Sequence, residues 1–153
     1  MQKDNRLYQL AENVLKNSVK LKKGEKIYIE AFGPAVLDLM EIFIRKATEL
    51  GGVPFYFYND EHLLKAVIDN ASEEQMKAFG ETYRQQMASS DVYVALRGYD
   101  DIFALSDVNE RQMALYMQHY YNPVHRSTRV PRTRWCVMRY PNQAMAALAK
   151  MSV

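Results

Sequence analysis

An α/β fold built on a mainly parallel open sheet of about four or more strands, with helices on both faces, is predicted from three observations. The hydrophobic period switches repeatedly between strand-like and helix-like along the chain. The segments alternate as strand, helix, strand, helix pair, strand, helix, strand, helix, the order expected when crossover helices cover a sheet. One strand segment, Val53-Pro54-Phe55-Tyr56-Phe57-Tyr58, is apolar without alternation, which predicts burial on both faces. The 153 residues, with no internal repeat and no low-complexity linker, are expected to form one domain, residues 1–153.

Each element has its local cause. Residues 4–18 place Leu7, Leu10 and Val14 on one helical face, with Asp4 near the start. Lys22-Lys23-Gly24-Glu25 is a turn, and Lys26-Ile27-Tyr28-Ile29-Glu30-Ala31-Phe32 reads as a strand. Gly33-Pro34 breaks it, and Pro34 suits the first position of a helix. Over residues 34–50, Val36, Met40, Phe43, Ala47 and Leu50 recur at helical spacing, and Gly51-Gly52 closes that helix. The apolar segment from Val53 follows as the second strand. Asn59-Asp60-Glu61 opens a short helix to about residue 69, and Ser72-Glu73-Glu74-Gln75 is a capping box for another to about residue 89. Asp91 to Arg97 is the third strand. Ser106 to Glu110 is a start signal, with a helix to about Tyr121 stopped by Asn122-Pro123. Residues 125–132 read as a basic loop, Arg134 to Arg139 as the fourth strand, and Pro141 opens a last helix that reaches the C-terminus.

Composition narrows the functional classes. The chain is 48% hydrophobic and 25% charged with 6 Gly and 5 Pro, which excludes a disordered tail, a collagen-like repeat and a disulfide scaffold. No run approaches the length of a membrane-spanning helix, and residues 1–6 lead into no apolar signal-peptide core. The single Cys136 has no internal disulfide partner, so a reducing, cytoplasmic setting is expected. Charge is uneven. Residues 1–110 hold 13 Lys/Arg against 18 Asp/Glu, whereas residues 111–153 hold 7 Lys/Arg and no carboxylate. That basic end fits either an acidic region of the same protein or a nucleic-acid or acidic partner.

Most familiar catalytic signatures are missing. The sequence holds no Walker loop, no G-x-G-x-x-G and no G-x-S-x-G elbow. His62, His119 and His125 lack metal-site spacing, so no protein-only zinc site is expected, and a surface or core role is the better reading for all three. Cys136 reads as a structural thiol, and Ser89, Ser90 and Ser106 as helix-end residues. Ligands of open α/β sheets gather beyond the carboxyl ends of the strands. Those ends offer Glu30, Arg97 and Arg139, candidates to orient a peptide or the charged groups of another domain. The Gly33-Pro34 helix start is a further place for an anion. Arg126, Arg129, Arg132, Arg134 and Arg139, interleaved with His125 and Trp135, have the composition of a nucleic-acid patch. Arg134 and Arg139 nevertheless project to opposite faces of their strand, which argues against that use.

Three segments together resemble a known family. Ser18-Val19-Lys20-Leu21-Lys22-Lys23-Gly24-Glu25-Lys26 ahead of a strand, Phe103-Ala104-Leu105-Ser106-Asp107-Val108 ahead of a helix, and above all Arg132 to Pro141 followed by Ala146 to Ser152, are similar to the aminopeptidase T/aminopeptidase S metallopeptidases, the thermophilic metalloprotease-like group. The resemblance spans nearly all of the chain and implies the N-terminal α/β domain of a two-domain, dimeric enzyme. Such an enzyme removes N-terminal residues from peptides with a divalent metal of the zinc or cobalt type. In that family the metal ligands and general base lie in the second domain. No counterpart of them stands in this sequence, so the resemblance assigns no catalytic or metal-binding residue here, and a C-terminal metal-binding domain is the expected partner. A stand-alone α/β module for a small anion or nucleotide is the alternative, with a nucleic-acid adaptor behind it.

Overall fold

The computed structural model describes residues 5–152; the proposed helix start at Asp4 lies outside them. Four strands, β1 (Lys26–Phe32), β2 (Val53–Asn59), β3 (Val92–Arg97) and β4 (Arg134–Arg139), form one sheet of order β2-β1-β3-β4. Every neighbouring pair is parallel. From β1 the chain crosses to β2 on one side, and β3 and β4 follow on the other. The sheet therefore has a switch point between β1 and β3, where ligands collect in folds of this type.

Helices cover both faces. On one face, α1 (Asn5–Asn13), its π-helical extension Val14–Ser18 and α2 (Leu37–Glu49) pack on Ile27, Ile29, Val92, Val94 and Leu96. On the other, α3 (Glu61–Asn70), α4 (Glu73–Ala88) and the helix that begins as α5 (Glu110–Tyr116) cover Tyr28, Tyr93 and Ala95. A short helix, α7 (Gln143–Ala149), follows β4. Several local signals act as expected. The Asp60 side chain accepts from the His62 and Leu63 amides to cap α3, and Ser72 with Gln75 forms a reciprocal capping box on α4.

Five expectations need correction. The helix following β3 starts at Glu110 under an Asn109 cap, not at Ser106 or Asp107. It does not stop at Tyr121. It continues through a π-helical segment, Met117–Arg129, and a single α turn, α6 (Val130–Arg132), so residues 125–132 are helix and not loop. The local stop at Asn122-Pro123 is overridden because Tyr120, Val124, His125, Thr128 and Arg129 are buried beneath this segment. The wider winding leaves the Pro123 carbonyl oxygen to accept from Thr128 Oγ1, 2.8 Å away. Third, β2 is an outer strand, not one buried on both faces: Val53, Tyr56 and Tyr58 are exposed. Its aromatic run fits an edge because Phe57 stacks on Tyr28 from one face only. Fourth, the buried face of α1 and its extension is Ala11, Val14 and Leu15, with Leu7 partly buried against it, while Leu10 is exposed. Fifth, the last helix starts after Pro141, under an Asn142 cap, and ends at Ala149, where Lys150 turns left-handed.

The basic end of the chain meets an acid of the same chain. Arg134 Nε donates to the Val19 carbonyl at 2.8 Å, and its guanidinium pairs with Glu25. Arg139 lies on the opposite sheet face, as the strand period requires.

Candidate functional site

A polar cluster sits inside the helix-covered half of the sheet. The even positions of β1 face α3 and α4, so Glu30 follows Tyr28 into that layer and is fully buried. A carboxyl group there needs partners. Tyr93 Oη, on β3, donates to Glu30 Oε2 at 2.5 Å, and Asn59 Nδ2, at the end of β2, donates to Glu30 Oε1. Burial pushes the Glu30 carboxyl up to about 7. The bonds from Tyr93 and Asn59 and the guanidinium groups of Arg97 and Arg129 pull the other way. The same burial, with Glu30 beside it, drives the Tyr93 hydroxyl well above its usual range.

The π-helical segment brings a second pair onto this cluster. Arg129 Nε donates to His125 Nδ1 at 3.3 Å, which leaves the imidazole proton on Nε2. Burial, then Arg129 and Arg97, push His125 down to about 3. The Arg129 guanidinium lies 4.6 Å from the Trp135 ring centroid and 5.4 Å from that of Tyr93.

Above these groups is a cavity of about 330 Å³ at the carboxyl edge of the sheet. Its floor is Phe32, Asn59, Tyr93 and Arg97, and its roof is built from α3, the 99–105 loop and the helix that follows. The loops at the switch point meet closely there: a Cβ on Gly33, whose φ is +83°, would lie 2.3 Å from the Gly98 carbonyl oxygen. Only glycine accepts that combination.

The structure places the three residues expected from the strand ends on one sheet face. Arg97 and Arg139 are register partners on β3 and β4, and both line the cavity. Glu30 lies deeper, level with Ala95 in the ladder, and reaches the cavity only through Asn59 and Tyr93. Read from sequence, Asn59, Tyr93 and Glu61 have no site role, and His125 and Arg129 figure only as members of the basic stretch. The i, i+4 spacing of His125 and Arg129 was the available signal, hidden by reading that stretch as a loop. Of the histidines, His62 is exposed on α3, and His119 Nε2 faces Glu73 Oε1 on α4 at 3.2 Å, away from His125. Cys136 is half-buried and its thiol is pushed up by burial.

This donor set does not suit a metal ion. Among the described residues no three His, Cys, Asp or Glu side chains come together. The carboxylate with the deepest burial, Glu30, is faced by two guanidinium groups that repel a cation. No metal-dependent step is therefore assigned to these residues. The basic stretch is likewise dispersed: Arg129 is buried under rings, Arg134 is tied to Glu25 on one face, and Arg139 lies on the other.

The fold and cavity define a parallel α/β domain with a ligand-sized hollow at its switch point and no metal-ligating cluster among its described residues. Residues 3–152 match the family model of the thermophilic metalloproteases (M29), and the chain belongs to that family. Among solved structures, wild-type AmpT from Thermus thermophilus shares the fold, with a TM-score of 0.67 at 16% sequence identity. The alignment covers 96% of this chain but 41% of the AmpT chain. No curated protein matches the sequence.

Proposed function

We propose that this chain acts as the N-terminal domain of a metal-dependent aminopeptidase, supporting the fold and a homodimer and helping to wall the peptide cavity while the chemistry proceeds elsewhere. The observation behind this reading is the pairing of a family match over residues 3–152 with a span of only 41% of the AmpT chain. The lack of a metal-donor cluster among the described residues supports the same reading. The zinc- or cobalt-type ion, the general base and most contacts to the peptide then belong to a C-terminal metal-binding domain. In this reading the full protein works on peptides in the cytoplasm and requires neither membrane nor nucleic acid.

The test is hydrolysis of amino-acid p-nitroanilides by the purified 153-residue chain with Co²⁺ or Zn²⁺ added. The expected result is no metal-dependent release above the blank, with activity appearing when the chain is joined to a metal-binding domain of the family. Metal-dependent turnover by the chain alone would overturn the assignment.

A further inference from the structure

We propose that the cavity at the carboxyl edge of the sheet binds a zwitterionic amino acid with an apolar side chain, its carboxylate on Arg97 and Arg139 and its ammonium on Glu61. Several polar groups on the walls already have partners. Asp60 accepts from the His62 and Leu63 amides, and Asp101 accepts from the Phe103 amide at 2.8 Å. Asn59 and Tyr93 both donate to Glu30, and His125 accepts from Arg129. Two buried side-chain atoms on the wall have no partner: Arg97 Nε, a donor on a cation, and Glu61 Oε1, an acceptor on a carboxylate. No ion pair joins those two side chains among the described residues. A buried polar atom without a partner is costly, so a ligand that completes both is favoured.

The pair of unmet groups defines the ligand's charges. Arg139 stands beside Arg97 in the ladder, on the neighbouring strand, so two guanidinium groups face the same side and suit a carboxylate. Glu61, with Asp60 beside it on the opposite wall, disfavours a dianion such as phosphate and supplies a seat for an ammonium group. Phe32, Leu64, Ile102 and Leu105 form an apolar stretch of the remaining wall, a surface for a hydrocarbon or aromatic side chain, and Tyr99, Tyr116, Tyr120 and Tyr121 complete it with their rings and hydroxyls. A volume of about 330 Å³ is at the small end of ligand pockets, the scale of one amino acid and not of an extended peptide. The position over the β1–β3 switch point is where such a fold presents ligands. Every group invoked belongs to this chain, and none needs a metal.

Calorimetric titration of the chain with L-phenylalanine tests this. Binding is expected, and it is expected to weaken at least about tenfold for phenethylamine, which lacks the carboxylate, and for N-acetyl-L-phenylalanine, which lacks the ammonium group. Arg97→Leu and Glu61→Gln should each weaken L-phenylalanine by at least about tenfold. Leu105→Trp, which fills the hollow without touching either charge, should abolish binding, with circular dichroism confirming that each variant folds. No heat of binding at millimolar L-phenylalanine would overturn the proposal. So would affinity unchanged in folded Glu61→Gln, or inorganic phosphate binding as tightly as the amino acid. The readout involves neither metal nor turnover, so its failure is separate from failure of the peptidase reading.

Discussion

Glu30 and His125 are buried ionisable groups about one polar cluster, shifted in opposite directions. Glu30 faces Tyr93, Asn59, Arg97 and Arg129, and its pKa is raised to about 7 by burial. The folded state therefore holds a proton on Glu30 that the unfolded chain releases as pH rises above the ordinary carboxyl range. This group contributes stability that is full at low pH and is lost as pH climbs toward 7. His125 faces Arg129, Arg97, Tyr93, Tyr120 and Tyr121, and its pKa is lowered to about 3. The unfolded chain takes up a proton there that the folded state refuses. Its contribution is present above the ordinary histidine range and is lost as pH falls toward 3. The two slopes oppose one another between about pH 4.5 and 6.5. Urea unfolding across that window should therefore change little with pH from this cluster in the natural chain. Glu30→Gln should uncover a stability that rises with pH, and His125→Gln one that falls, each by about 1.4 kcal/mol per pH unit at most. Parallel profiles for the two variants would refute this. The acid was legible in the sequence, since one carboxylate interrupts an apolar strand. Its partners were not, because Asn59 and Tyr93 join it only through strand pairing.

The helix from Glu110 to Arg132 is where local signals and tertiary packing disagree. Asn122-Pro123 and the run of arginines predicted a stop and a loop. Burial of one face against α4 and the sheet holds the segment helical instead, with Pro123 accommodated by the wider winding. The seam between this helix and α4 is so close that a Cβ on Gly80 would lie 1.8 Å from the His119 carbonyl oxygen. Gly80→Ala favours the helical backbone of α4 by about 0.8–1 kcal/mol. The clash outweighs that gain, and the net loss should be roughly 1–3 kcal/mol by chemical denaturation. A neutral or stabilising Gly80→Ala would show that the two helices separate without penalty. The other elements were easier to read, because caps such as Asp60 and Ser72 act within one turn of chain. Boundaries set by contacts distant in sequence were not available from local pattern.

For the molecule as a whole, alternation of strand and helix disclosed the parallel sheet and its two helical layers. The strand order and the exposed position of β2 were not legible, because an apolar run reads alike at an edge and at the centre. The uneven charge found part of its explanation in Arg134 and Glu25, which link β4 to the turn before β1. Glu30, Arg97 and Arg139 were brought to one sheet face by the register alone. A chain stabilised by two apolar layers and a polar cluster, with no three His, Cys, Asp or Glu side chains gathered among the described residues, should be indifferent to chelators. Excess EDTA should leave the thermal unfolding midpoint of the chain unshifted, and a fall would reveal an ion bound to the native state.

The bond from Tyr93 to Glu30 also has a consequence for how the strands find one another. It joins β1 to β3 at one alignment, and a slipped ladder would enclose the acid among hydrocarbon with its hydroxyl donor displaced. A slip of one residue would turn every side chain of β1 to the other face of the sheet and carry Glu30 away from Tyr93. The carboxyl group adds its own penalty to the shifted pairings and so acts as a proofreader of assembly beside the isoleucines and valines around it.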